Sequence, residues 1–146
     1  MTDKRIPHGE LAYGQDSRYR HAGELFTGWA ESAYRDVKEE QEFRDGFRWG
    51  PARVFKGGRL IMESNFRMDL LHGVEREWSD EGKLCREATY EHGILLGERE
   101  WDDGVLTKDF RRPEGGPQLA EMRRLYGTPE EVEAEESAYR GGALST

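Results

Sequence analysis

An internal disulfide is excluded, because the chain of 146 residues contains one cysteine, Cys85, and a reducing cytosol is the simple reading of such a count. Long apolar runs are also missing: nothing approaches the roughly 18 residues that a spanning helix needs. The opening MTDKRIPHGELAY lacks the apolar stretch of a signal peptide. A cytoplasmic protein without membrane contact is therefore expected. Apolar residues are scarce at 35%, against 36% charged, too few for a thick two-layer core. Positive charge is in deficit: 22 Lys and Arg face 30 Asp and Glu, a formal net charge of −8. That balance disfavours nucleic acid and acidic membranes and attracts a basic partner. Aromatics, by contrast, are plentiful. Four Trp, six Tyr and six Phe are too many for a disordered tail.

Those aromatics recur in order. An aromatic, two residues, Gly or Asp, three residues and Gly appear as Phe43, Gly46, Gly50, then Phe66, Asp69, Gly73, then Tyr90, Gly93, Gly97, about 23 residues apart. A degenerate copy begins at Glu24 and Gly28. After the second Gly, each copy has a short run ending in Tyr34, Phe55, Trp78 or Trp101. A turn follows, then Val37, Leu60, Leu84 or Leu106, and a return run to Phe43, Phe66, Tyr90 or Phe110. Two aromatic-bearing runs around a Gly-rich turn predict a β-hairpin. The fold class expected is mainly β: an elongated antiparallel sheet of repeated hairpins with a short α-helical C-terminal extension.

Strand alternation assigns faces. Val74, Arg76 and Trp78 lie on one side, Glu75 and Glu77 on the other; the return run groups Leu84, Arg86, Ala88 and Tyr90 against Cys85, Glu87 and Thr89. One face is expected to be aromatic and aliphatic, the other polar and acidic. Arg53, Arg76 and Arg99 stand two residues before Phe55, Trp78 and Trp101, so a row of guanidinium groups is expected on the aromatic face. There they cover the rings or receive a carboxylate-rich partner.

Residues 1–22 are expected to supply capping strands, 23–112 about four hairpin repeats, and 113–146 a linker with two helices. RRPEGGP marks the linker. Leu119, Met122, Leu125 and Tyr126 follow at helical spacing and predict a helix packed on the far edge or aromatic face, capping the array. Thr128, Pro129 and Glu131 form a second helix start. Its acidic run, including Glu130, Glu131 and Glu133, is either a solvated face or a hook for a basic partner.

Catalytic chemistry finds no footing. His8, His21, His72 and His92 have no Cys or His neighbour at zinc spacing, Cys85 sits in a strand rather than beside a base, and KGGR at Lys56–Arg59 joins two strands rather than a strand and a helix. No metal, cofactor or enzymatic activity is expected.

The stretches ELFTGW (Glu24–Trp29), FRDGFRWGPARVFKGGRL (Phe43–Leu60) and HGVEREWSDEGKLCREATYEHG (His72–Gly93) resemble the bacterial MORN-repeat variants, over roughly residues 23–110. The C-terminal helices fall outside that pattern. The resemblance implies stacked hairpins and, more loosely, an antitoxin or immunity protein. Three functions are then open. The foremost is a protein-interaction module that blocks a basic toxin by direct contact. The second is a self-associating scaffold, and the third an enzyme whose Arg row holds an anionic substrate.

Overall fold

The computed structural model describes residues 4–114 and 116–145. The first strands are β1 (Arg5–Pro7), β2 (Ala12–Tyr13), β3 (Tyr19–His21) and β4 (Glu24–Leu25). The hairpin strands β5 (Gly28–Tyr34), β6 (Val37–Arg44), β7 (Phe47–Lys56) and β8 (Arg59–Arg67) follow. A short β9 (Leu70–Leu71) precedes β10 (Gly73–Trp78), β11 (Leu84–Glu91), β12 (Ile94–Asp102) and β13 (Val105–Arg111). Helices α1 (Gly116–Tyr126) and α2 (Pro129–Ser145) come last. The protein is mainly β.

Turn chemistry explains the hairpins. Asp45 and Gly46 sit at φ +50° and +83°, and His92 and Gly93 at +48° and +82°. Two successive positive φ values define the type I′ turn, whose twist matches paired strands. The same pattern occurs at Met68 and Asp69 without glycine. There Asp69 Oδ1 accepts a hydrogen bond from the Arg48 backbone N–H at 2.7 Å, and the Arg48 guanidinium lies 4.7 Å from the Phe66 ring centre. A side-chain clamp accompanies the departure from glycine.

The main sheet runs β1-β5-β6-β7-β8-β10-β11-β12-β13, with β9 paired to β8, and β2-β3-β4 form a second, three-stranded sheet. Sequential neighbours are antiparallel. β1 instead lies parallel to β5, with Ile6 opposite Ala30, and so covers that edge. The buried apolar cluster is at this end: Ile6, Phe26, Ala30 and Phe43, with Leu11 and Tyr19 against it. The Phe43 ring centre is 5.1 Å from that of Tyr19 and 5.7 Å from that of Phe26.

The faces differ from simple alternation. Arg76 opposes Glu87 and Val74 opposes Thr89, whereas Ala88 opposes Glu75 and Arg86 opposes Glu77. The expected grouping of Arg76 with Ala88 and Tyr90 is therefore wrong. Its cause is a bulge: Glu77 pairs with Arg86 but Trp78 with Leu84, leaving Cys85 as an extra residue. One inserted residue inverts the face of everything counted through it. The same irregularity leaves Ile61 extra between β7 and β8, and Thr107 extra between β12 and β13.

Candidate interaction surfaces

With the register known, Arg53, Arg76 and Arg99 do form a row, but an acidic one runs between them. Strand by strand the opposed residues are Glu31, Glu40, Arg53, Glu63, Arg76, Glu87, Arg99 and Asp109. Arg53 holds Glu63 at 2.8 Å and Glu40 at 3.3 Å; Arg76 holds Glu87 at 2.8 Å; Arg99 holds Asp109 at 3.3 Å. Signs alternate from Glu40 onward. At the one like-charged step, Arg5 bridges Glu31 and Glu40 at 2.7 and 3.1 Å. The Glu63 and Glu40 bonds, opposed by partial burial, raise the Arg53 pKa above its usual value. Arg53 lies over Trp29, 5.5 Å from its ring centre, and Arg5 covers the same ring at 4.8 Å. Phe55, Trp78 and Trp101 are half-buried and each occupies the residue after a register shift. They share an equivalent place in successive hairpins.

The opposite face carries a tighter network that the sequence reading missed. Arg86 donates to Glu75 at 2.5 Å, to Glu98 at 2.7 Å and to the Tyr90 hydroxyl at 3.2 Å. Lys108 reaches Glu98 at 2.5 Å. Both carboxylates are buried. Burial opposes the charge of Arg86, but the bonds from Glu75, Tyr90 and Glu98 keep its pKa well above the ordinary value. Lys108 and Arg86 hold Glu98 below the usual carboxylate range. Toward β1 the same face opens into a groove of about 320 Å³, floored by Ala30, Ala52 and Ser64 and walled by Phe43, Val54 and Met62.

The C-terminal helices do not cap the array. They lie along the row of turns, held by charge. Arg67 donates to Glu135 at 2.8 Å and to the Tyr126 carbonyl at 2.8 Å. Arg140 pairs with Glu42 at 2.9 Å, and Arg123 with Glu91 at 2.5 Å. Arg44 is sandwiched between Trp49 and Tyr139, 4.3 and 3.7 Å from their ring centres. Arg44, Arg67 and Glu91 each follow the repeat aromatic directly; that shared position was the available signal for the docking site. His92, 1% exposed, donates from Nε2 to the Gly127 carbonyl at 2.8 Å. Its backbone N–H donates to His72 Nδ1 at 3.0 Å, so the neutral His72 ring serves as acceptor. Burial first, then His92 and Arg67, push the His72 pKa down to about 4.

Among the predicted acidic residues, Glu131 is part of a reciprocal cap: the Thr128 N–H donates to Glu131 Oε1 at 3.1 Å, and the Glu131 N–H to Thr128 Oγ1 at 3.2 Å. Glu130 and Glu133 are exposed. The acidic residues that reach the sheet are Glu135 and Glu136, through Arg67 and Arg44.

β13 ends the main sheet, and all seven of its residues are exposed. Val105 is 65% accessible, Leu106 49% and Phe110 37%. Beside it, Asp80, Glu81, Asp102 and Asp103 cluster at the hairpin tips near Trp101, with Lys83 reaching Asp103 at 2.6 Å. Among the described residues, no group of His, Cys, Asp and Glu is arranged to hold a metal ion. No helix there is long and apolar enough to cross a membrane.

No protein family and no curated protein matches the chain by sequence. Two solved structures share some of its backbone path. One is a mutant of S. aureus TarM in complex with Fondaparinux, alpha-GlcNAc-glycerol and UDP. It is 14% identical with a TM-score of 0.42, over 70% of this chain and 21% of that one. The other, a crystal structure of TarM, is 14% identical with a TM-score of 0.31, over 57% and 21%. The chain thus spans about a fifth of the length of the proteins it is similar to.

Proposed function

We propose that the chain is a protein-interaction module of the immunity or antitoxin kind, built on MORN-like hairpins and neutralising a basic toxin by direct contact in the cytoplasm. It needs no cofactor and performs no catalysis. The observation that carries this reading is the asymmetry of the sheet: the edge strand at one end is the three-residue β1, ending in Pro7, while at the other it is the seven-residue β13, exposed along its whole length. An open edge presents unpaired N–H and C=O groups, which proteins that do not use them normally blunt. Acidic tips beside it and the net charge of −8 favour a basic partner and speed its approach. Arg99 and Trp101, on the neighbouring β12, flank this end. Arg53 and Arg76 are engaged in the charge row and serve chiefly to hold it.

The test is co-expression with neighbouring gene products, followed by affinity capture and an assay of toxin activity. A stoichiometric basic partner whose activity is abolished in the complex supports the proposal. Recovery of the chain alone, sedimenting at twice its own mass, favours the scaffold reading instead.

A further inference from the structure

On the reading just given, we infer that β13 takes up an extended segment of the partner as an added strand, with a Lys or Arg opposite Asp109. Beyond Arg99, Asp109 is the last rung of the alternating row. Among the described residues, no strand faces its outer flank. The row has a cation opposite every acidic rung from Glu40 to Glu87, on one side or both. Directly opposed opposite charges stabilise strand pairs and like charges destabilise them. A basic residue is therefore the side chain that the next rung selects. On the other face Phe110 lies beside Glu98, and Lys108 already answers Glu98, so an apolar residue fits opposite Phe110.

A second copy of this chain fits poorly. A two-fold antiparallel pairing centred on Lys108 sets Lys108 against itself; one centred on Phe110 sets Arg111 opposite Asp109, but it also sets Lys108 against Arg112 and meets Pro113 next. Pro113 has no N–H to offer. Two copies, each of net charge −8, also repel.

The probe is a short acetylated peptide of alternating Thr and Val with one central Lys, compared with the same peptide carrying Glu. Binding to the full chain is followed by NMR, reading amide shifts and exchange protection at Val105–Arg111. The Lys peptide is expected to bind about fivefold tighter than the Glu peptide, the size of one exchanged cross-strand charge pair, and to protect β13 amides. Asp109→Asn should erase the preference and Asp109→Lys reverse it. Equal binding of the two peptides, protection mapping elsewhere, or a dimer of the chain that Asp109→Lys dissolves would each overturn the proposal. Its fate separates from that of the interaction reading: a captured toxin protecting a surface other than β13 ends strand addition alone. Peptide discrimination with no captured partner leaves the docking edge standing without an immunity role.

Discussion

Two arginines show how differently one side chain can be used. Arg76 is 43% exposed and its partner Glu87 35%, an open pair of the kind contributing about 0–1 kcal/mol. Arg86 is 18% exposed and serves Glu75 and Glu98, each 8% exposed. Its removal leaves the buried Glu75 with the Ser64 hydroxyl in place of a cation at this distance, while Glu98 keeps Lys108, a change that costs about 3 kcal/mol. Urea unfolding at neutral pH should therefore place Arg86→Ala several-fold further below the parent than Arg76→Ala. Part of the Arg86→Ala deficit should disappear in acid, where a carboxylate that has lost its cation takes up a proton. Equal losses for the two variants would mean that the inner network is no more than surface charge. The pairing was hidden in the sequence because Cys85 looks like any strand residue. As a bulge it moves Arg86 to the face of Glu75, and no local pattern of residue types announces an inserted position.

Hairpins were legible because their turns are written in short range: Asp45–Gly46 and His92–Gly93 demand positive φ within four residues. The capping box at Thr128 and Glu131 was legible for the same reason. The docking of α1 and α2 was not, since Arg140 meets Glu42 across 98 residues and Arg67 meets Glu135 across 68. This docking carries a pH dependence. His72 accepts the His92 N–H, and its pKa is lowered from 6.5 to about 4. Below its unfolded value the unfolded chain takes a proton that the folded chain refuses, so stability is full above 6.5 and falls as pH drops toward 4. The loss amounts to about 2 kcal/mol near pH 5. Thermal unfolding of the parent should show this slope, and His72→Gln should remove it. At lower pH, Glu91 and Glu98, whose pKa values are also depressed, add losses that the variant keeps. A slope unchanged in His72→Gln would assign the effect to other groups.

The molecule is built as a line, in which each hairpin pairs with its sequence neighbours and the buried apolar cluster found among the described residues sits near β1. Stability should therefore be graded along the sheet rather than uniform, because a unit in such an array is held by its own strands and its nearest interface. Phe43 is 1% exposed and touches three rings; Phe110 is 37% exposed on the last strand. Phe43→Ala should cost about 3–5 kcal/mol, the usual toll of emptying an aromatic core position, and lower the whole unfolding transition. Phe110→Ala should cost under about 1 kcal/mol. Native-state hydrogen exchange reads the gradient directly. Amides of β5–β7 should exchange only through global opening, while those of β13 exchange through local fraying. The end that opens most easily is then the same end proposed to accept a partner strand, and binding there should slow exchange in β13 first and leave β5 unchanged. Uniform protection from β5 to β13 in the free protein would show instead that the array unfolds as one cooperative body, with no separately yielding end.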